Sequence, residues 1–202
     1  MPSIGLFPLA IVLLPAERTG LHIFEPRYKE LISECLLDER EFGMLLTDGA
    51  TLAEVGTRAR VVEVLERFDD GRLNIVVEGG QRFRIVEMTE GRSFFTAEIE
   101  SFSDETPLPD RAAYEECLAD YRKVVATGEL DLDEPVPDEW GLAFHLAAQM
   151  ALPAAAKQEL LQMRSEAARL ERVREFLAAA AEAARRRLIE KRAATNGHVG
   201  RI

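Results

Sequence analysis

The chain has 202 residues, 47% hydrophobic and 30% charged, the composition of a folded domain large enough to bury a core. Its 25 basic and 36 acidic side chains leave a formal net charge of −11. That balance argues against nucleic acid as the default partner, because phosphate binding is driven by clustered cations.

The opening MPSIGLFPLAIVLLPAE imitates a signal peptide, but no cation precedes Arg18, Pro8 interrupts the apolar run and no small-residue cleavage site follows. The run from Ile4 to Leu14 is too short to span a bilayer, so a cytoplasmic location is expected. Strands are expected around Leu6 to Leu14 and Thr19 to Phe24. In LHIFEPRYKEL, Pro26 restricts Glu25 to extended geometry and opens a helix at its own position. Tyr28, Leu31, Ile32, Cys35 and Leu36 then share one helical face. The stretch is a strand-to-helix corner, in which Glu25 and Arg27 can pair with each other or with backbone and His22 is expected to hold a structural hydrogen bond.

EFGMLLT (41–47) is a short buried strand, and Asp70-Gly71 in RFDDGRLNIVV signals a tight hairpin that EGGQRFRIV extends into a meander. In FFTAEIE, strict alternation puts Phe95, Ala97 and Ile99 on one face. Six or more short strands suggest a small barrel or folded-over sheet. SFSDETPLPD (101–110) reads as a linker, dividing a β-rich part (1–104) from a helical part (105–202). Helices are expected over 110–127, in WGLAFHLAAQM, after Pro153, and after a Ser165 cap. The last carries an apolar stripe of Leu170, Val173, Leu177, Ala180, Ala181, Ala184 and Leu188. From Glu166 to about Arg192 it would run roughly 40 Å and project its arginine-rich end, with TNGHVGRI frayed beyond.

No metal or catalytic pattern stands out. His22, His145 and His198 are scattered, and no H-E-x-x-H, C-x-x-C or G-x-S-x-G run is present. Asp69 and Asp70 belong to a turn, and the acids of 128–139 lack the terminal glutamate of a calcium loop. Cys35 and Cys117 read as buried free thiols.

FPLAIVLLPAERTGLHIFEPRYKELI, FGMLL, and VGTRARVVEVLERFDDGRLNIVVEGGQRFRI resemble the N-terminal domain of the Lon proteases. LAAQMALPAAAKQELLQMRSEAARLERVREFL is similar to that domain's helical part, with its lysine-glutamine step and the pair Arg169, Leu170. The resemblance covers roughly residues 4 to 190. It implies an α+β fold: a PUA-like β pseudobarrel with one short helix, followed by a C-terminal helical bundle ending in a long helix. It also implies capture of unfolded substrates. No G-x-x-x-x-G-K-[ST] run is present, so the expectation is a stand-alone, non-catalytic binding module without cofactors, lacking the family's ATPase and Ser-Lys peptidase modules.

Capture of an unfolded chain calls for exposed apolar surface and strand edges. Phe7, Leu9, Ile11, Leu13, Phe94 and Phe102 are the candidates, with the groove between barrel and bundle. His22, Glu25, Pro26, Arg27 and Tyr28 are the family signature and read as structural. Two alternatives are an adaptor docking on a protease or other partner through the arginine-rich terminal helix, and RNA binding by Arg58, Arg60, Arg67, Arg72, Arg82, Arg84 and Arg92; self-association is left open as a partner. No membrane partner is expected, and the acidic total weighs against RNA.

Overall fold

The computed structural model describes residues 2–105, 109, 111–127 and 141–196, with side chains through Glu190. The acidic segment 128–139, most of 106–110 and the tail beyond 196 lie outside the described residues. The Asp70-Gly71 signal closes a hairpin between β4 (Val55–Arg67) and β5 (Leu73–Thr89). Gly71 takes φ 79°, and its amide bonds the Phe68 carbonyl at 2.9 Å, a left-handed position that glycine adopts without penalty.

The expected meander does not turn again at Gly79-Gly80. β5 is one strand of 17 residues that pairs with three neighbours. Its first half takes β2 (Arg18–Ile23), its second half takes β6 (Thr96–Ser101), and β4 runs beside most of it. A side chain at Gly79 would collide with the Leu14 carbonyl, so the glycine serves close approach rather than a turn. β1 (Ser3–Leu9) pairs in parallel with β3 (Phe42–Leu46) and antiparallel with β6. β3 in turn pairs with β4. The ring β1-β3-β4-β5-β6 thus closes on itself, with β2 appended outside it. This is the expected pseudobarrel.

α1 (Pro26–Asp38) buries Tyr28, Leu31, Ile32 and Cys35, the face that the 3.6-residue period assigned. It packs them on Phe7, Phe42, Ile75 and Val77 of the sheet. The helical part follows as α2 (Arg111–Val125), α3 (Leu142–Ala148), α4 (Ala154–Gln162) and α5 (Glu166–Asn196). Ser165 Oγ accepts from the Ala168 amide at 3.3 Å, the expected cap. Leu170, Val173 and Leu177 of α5 are sealed against Cys117, Tyr121 and Val124 of α2, each worth about 1.5–3 kcal/mol of apolar burial. The stripe ends at Ala184: Leu188 and Ile189 are exposed. At 31 residues, α5 extends about 46 Å.

The linker is shorter than expected, because Ser101 belongs to β6 and Phe102 is buried. One apolar cluster joins Val12, Leu14, Val55 and Phe102 to the helices, so the two parts share a core across residue 104. Among the described residues no helix is long and apolar enough to cross a membrane.

Candidate functional site

At the corner after β2, the chain extends through Glu25 (φ −68°, ψ 134°) and enters α1 at Pro26. The Glu25 side chain does not cap the helix. Its carboxylate takes the Arg27 guanidinium, Nε at 2.9 Å and Nη2 at 2.8 Å. That bond swings the guanidinium over the Tyr28 ring, 4.5 Å from the centroid, with Phe95 at 5.9 Å. Such a cation between rings gains electrostatically from both faces. Tyr28 lies against Phe7, ring centroids 4.1 Å apart. His22 points to the other face of the sheet, where Nδ1 meets Asn74 Oδ1 at 2.6 Å and Asn74 donates to Glu66 at 2.9 Å.

Arg27 and Tyr28 form one wall of a cleft of about 400 Å³, whose other walls are Pro8, the 47–52 loop, Met88 and Phe95. The loop is held tightly. Asp48 accepts from the amides of Ala50 and Thr51 at 2.9 and 2.7 Å, and Thr47 Oγ1 donates to the Thr51 carbonyl at 2.7 Å. Phe95 is 47% exposed, yet its backbone is fixed by the Leu6 amide bonding its carbonyl at 2.8 Å. Met88 is exposed beside it. Tyr28 is only 4% exposed. Burial pushes its phenol above the usual value, offset in part by Arg27, so the hydroxyl is neutral at pH 7. A rigid apolar floor with one hydroxyl and one cation suits an apolar side chain and the peptide group that carries it.

The junction of barrel and bundle is built in the opposite way. Arg169 is buried, with Nη1 and Nη2 on the Asp104 carboxylate at 2.7 and 2.5 Å, Nη2 on Glu166 at 2.8 Å, and Nη1 on the Met163 carbonyl at 2.9 Å. Arg82 of β5 adds a 2.5 Å bond to Asp104 and reaches the carbonyls of Leu161 and Met163. Phe144 lies under both guanidiniums. Against its partial burial, bonds from Arg169 and Arg82 hold the Asp104 carboxyl below its usual range. Burial pushes the Glu166 carboxyl up, against the Ala143 amide and Arg169. Lys157 pairs with Glu17, and Gln158 donates to the Val55 carbonyl at 3.0 Å. The expected groove is therefore largely filled. A shallow hollow runs along α4 beside Leu46, Gln158 and Met163.

The family model described as "ATP-dependent protease La (LON) substrate-binding domain" matches residues 3–179. The chain belongs to that family. It is 27% identical to a Lon protease of Azospirillum brasilense over 88% of this chain and 24% of that protein. It is 28% identical to a Lon protease of Anaeromyxobacter dehalogenans over 82% of this chain and 22% of that one. The chain thus spans about a quarter of the length of these curated relatives. Among solved structures it is similar to a Lon N-terminal domain protein from Xanthomonas campestris, at 25% identity and TM-score 0.66, covering 86% of this chain and 97% of that one. The N-terminal domain of a Mycobacterium avium complex Lon protease shares the fold, at 18% identity and TM-score 0.69, over 88% and 98% of the two chains.

Within this LON substrate-binding domain, the expected apolar candidates are mostly core. Phe7, Leu13, Phe94 and Phe102 are buried, Leu9 is half-buried and Ile11 is exposed. Phe7 is spent on Tyr28 and Phe42, Phe94 packs over Gly5 beneath Arg92, and Phe102 lies at the junction. Sequence reasoning missed Phe95 and Met88. β6 begins at Thr96 and buries both Thr96 and Ala97, so alternation slips by one residue and turns Phe95 outward. The turn residues Gly91 to Ser93 were the available signal that the strand starts late.

Of the seven barrel arginines, six meet carboxylates: Arg58 with Glu41, Arg60 with Glu78, Arg72 with Asp70, Arg82 with Asp104, Arg84 with Glu100, and Arg92 with Glu30 and Glu34. A phosphate backbone would have to displace those acids. Cys35 and Cys117 are free and buried. Burial pushes their thiols up to about 11 and about 12, away from the thiolate that thiol chemistry needs. Among the described residues no group of three or more His, Cys, Asp or Glu could hold a metal ion.

Proposed function

We propose that this LON substrate-binding domain binds unfolded or apolar polypeptide segments without catalysing their conversion, and that the cleft of Arg27, Tyr28, Met88 and Phe95 is the primary contact. One observation carries this. At the family-signature corner, the exposed side chains of Met88 and Phe95 share one cleft with the Arg27 guanidinium and the nearly buried Tyr28. The family's description, a substrate-binding domain of a protease, favours a protein ligand. A reduced and alkylated, permanently unfolded protein is expected to bind with weak affinity, about 10–100 μM. That binding should survive about 0.5 M salt, because apolar contact is not screened. No interaction at high micromolar concentration would overturn the proposal. Assays of ATP hydrolysis and proteolysis are expected to read blank.

A second reading is favoured by α5. Arg185, Arg186, Arg187, Leu188 and Ile189 are exposed beyond the last buried turn, offering a helical face to a protein partner. Deleting residues 185–202 should then abolish recovery of that partner in a pull-down while leaving unfolded-protein binding intact.

A further inference from the structure

β2 leaves one backbone edge without a partner. On one side Arg18–Ile23 pairs with Glu78–Leu73 of β5 in unbroken register. On the other side, among the described residues, no strand and no backbone hydrogen bond engages it. An unpaired edge is a template for another strand, and proteins blunt the edges they need to keep free. The outer half of β4 shows such blunting. Its register with β5 slips between Val61 and Glu63 and again between Val64 and Glu66, so β4 carries an extra residue at each place and twists away. β2 has no bulge and no proline.

The side chains of β2 divide cleanly. Thr19, Leu21 and Ile23 pair with Val77, Ile75 and Leu73 on the core face; Arg18, Gly20 and His22 lie on the outer face. Across the outer face runs a charged row. Arg18 of β2 and Arg60 of β4 share the single Glu78 carboxylate of β5, at 2.6 and 2.9 Å. Arg18 stands at the open end of that row, its side chain 67% exposed. One more strand beside β2 would extend the row, and opposite charges on adjacent strands stabilise each other. A carboxylate is the group that completes it. A second copy of β2 cannot supply one, because Arg-Thr-Gly-Leu-His-Ile contains no acid.

We propose that the free edge of β2 receives an extended polypeptide as an added strand, with an Asp or Glu of that segment set beside Arg18 and its apolar side chains continuing the Leu21 face. The proposal rests on the polypeptide-binding reading and gives it a mode. Ladder hydrogen bonds to the ligand backbone tolerate many sequences, and the Arg18 position adds one charge preference. Gly20 leaves the outer face open for the incoming chain, since a methyl there would meet only the Ile75 carbonyl, 4.0 Å away.

The test uses the full chain, isotope-labelled, and the acetylated, amidated peptide Ser-Thr-Val-Glu-Val-Thr-Ser at about 1 mM. Amide exchange within residues 18–23 should slow about tenfold, and a copy of the peptide with alternate amides N-methylated should give no protection. Exchanging the peptide's Glu for Lys should weaken binding, and Arg18→Glu, at an exposed side chain, should reverse that preference. If the peptide shifts only the Phe95 and Met88 resonances and leaves β2 exchange unchanged, strand addition is refuted while polypeptide binding stands. If neither the peptide nor an unfolded protein perturbs any resonance, both fall. Protection that grows with protein concentration in the absence of peptide would assign the edge to a second copy and overturn the proposal.

Discussion

At the junction arginine closes space, and at the cleft it keeps space open. Arg169 spends its donors on two carboxylates and a carbonyl, and is sealed from solvent. Arg27 has one carboxylate, Glu25, and lies half-exposed between Tyr28 and Phe95. The difference is one of saturation. A guanidinium with every donor met is cement, and a second group cannot reach it. One held on a single side is oriented yet can still meet a ligand. Stability and binding should therefore separate in this molecule, junction variants losing the first and cleft variants the second.

The largest effect is expected for Arg169→Ala, which strands Asp104 and Glu166 without their main cation. Breaking a buried pair from one side costs about 3–5 kcal/mol, measurable as a fall in denaturant midpoint. Gly141→Ala comes next. Gly141 holds φ 83° with a would-be Cβ 2.6 Å from the Glu166 carboxylate, and the backbone strain alone costs about 1–3 kcal/mol.

Acid should dissolve the contrast. Asp104, whose folded pKa lies below its usual value, lends stability above its unfolded pKa of about 3.9 and loses it as pH falls through the folded value. The gap in stability between the wild type and Asp104→Asn should narrow below about pH 4. Glu166, raised by burial, acts in the opposite sense: its contribution is present below its unfolded pKa and is lost as pH rises through the folded one.

The cleft variants should barely move stability. Phe95→Ala, at a half-exposed ring, should stay within about 1 kcal/mol of the wild type while weakening unfolded-protein binding. Tyr28→Phe should weaken that binding by about 2–10-fold, the worth of one neutral hydrogen bond, and leave the melting temperature in place. Loss of folding in either variant would show that the cleft is part of the core.

The contrast also marks what the sequence could show. The corner at Pro26, the Asp70-Gly71 turn and the Ser165 cap are local, and each was legible from a few residues of spacing. The lysine-glutamine step and the Arg169-Leu170 pair were visible as family resemblance, but their work was not. Gln158 clips Val55 from 103 positions away, and Arg169 meets Asp104 from 65. Neither partner is marked in the local pattern. The apolar candidates failed for a related reason. Hydropathy alone does not say which of Phe94 and Phe95 is inside, and a single slip of phase at Thr96 decides it. The closure of the barrel was hidden in β5, whose unbroken run past two glycines looks like two strands.

The most direct test is a titration of reduced and alkylated unfolded protein against the wild type and Phe95→Asp, with folding of both checked by thermal melting. The account predicts equal melts and an affinity at least about tenfold lower for the variant, a loss of about 1.4 kcal/mol. Equal affinity in two equally folded proteins would contradict it.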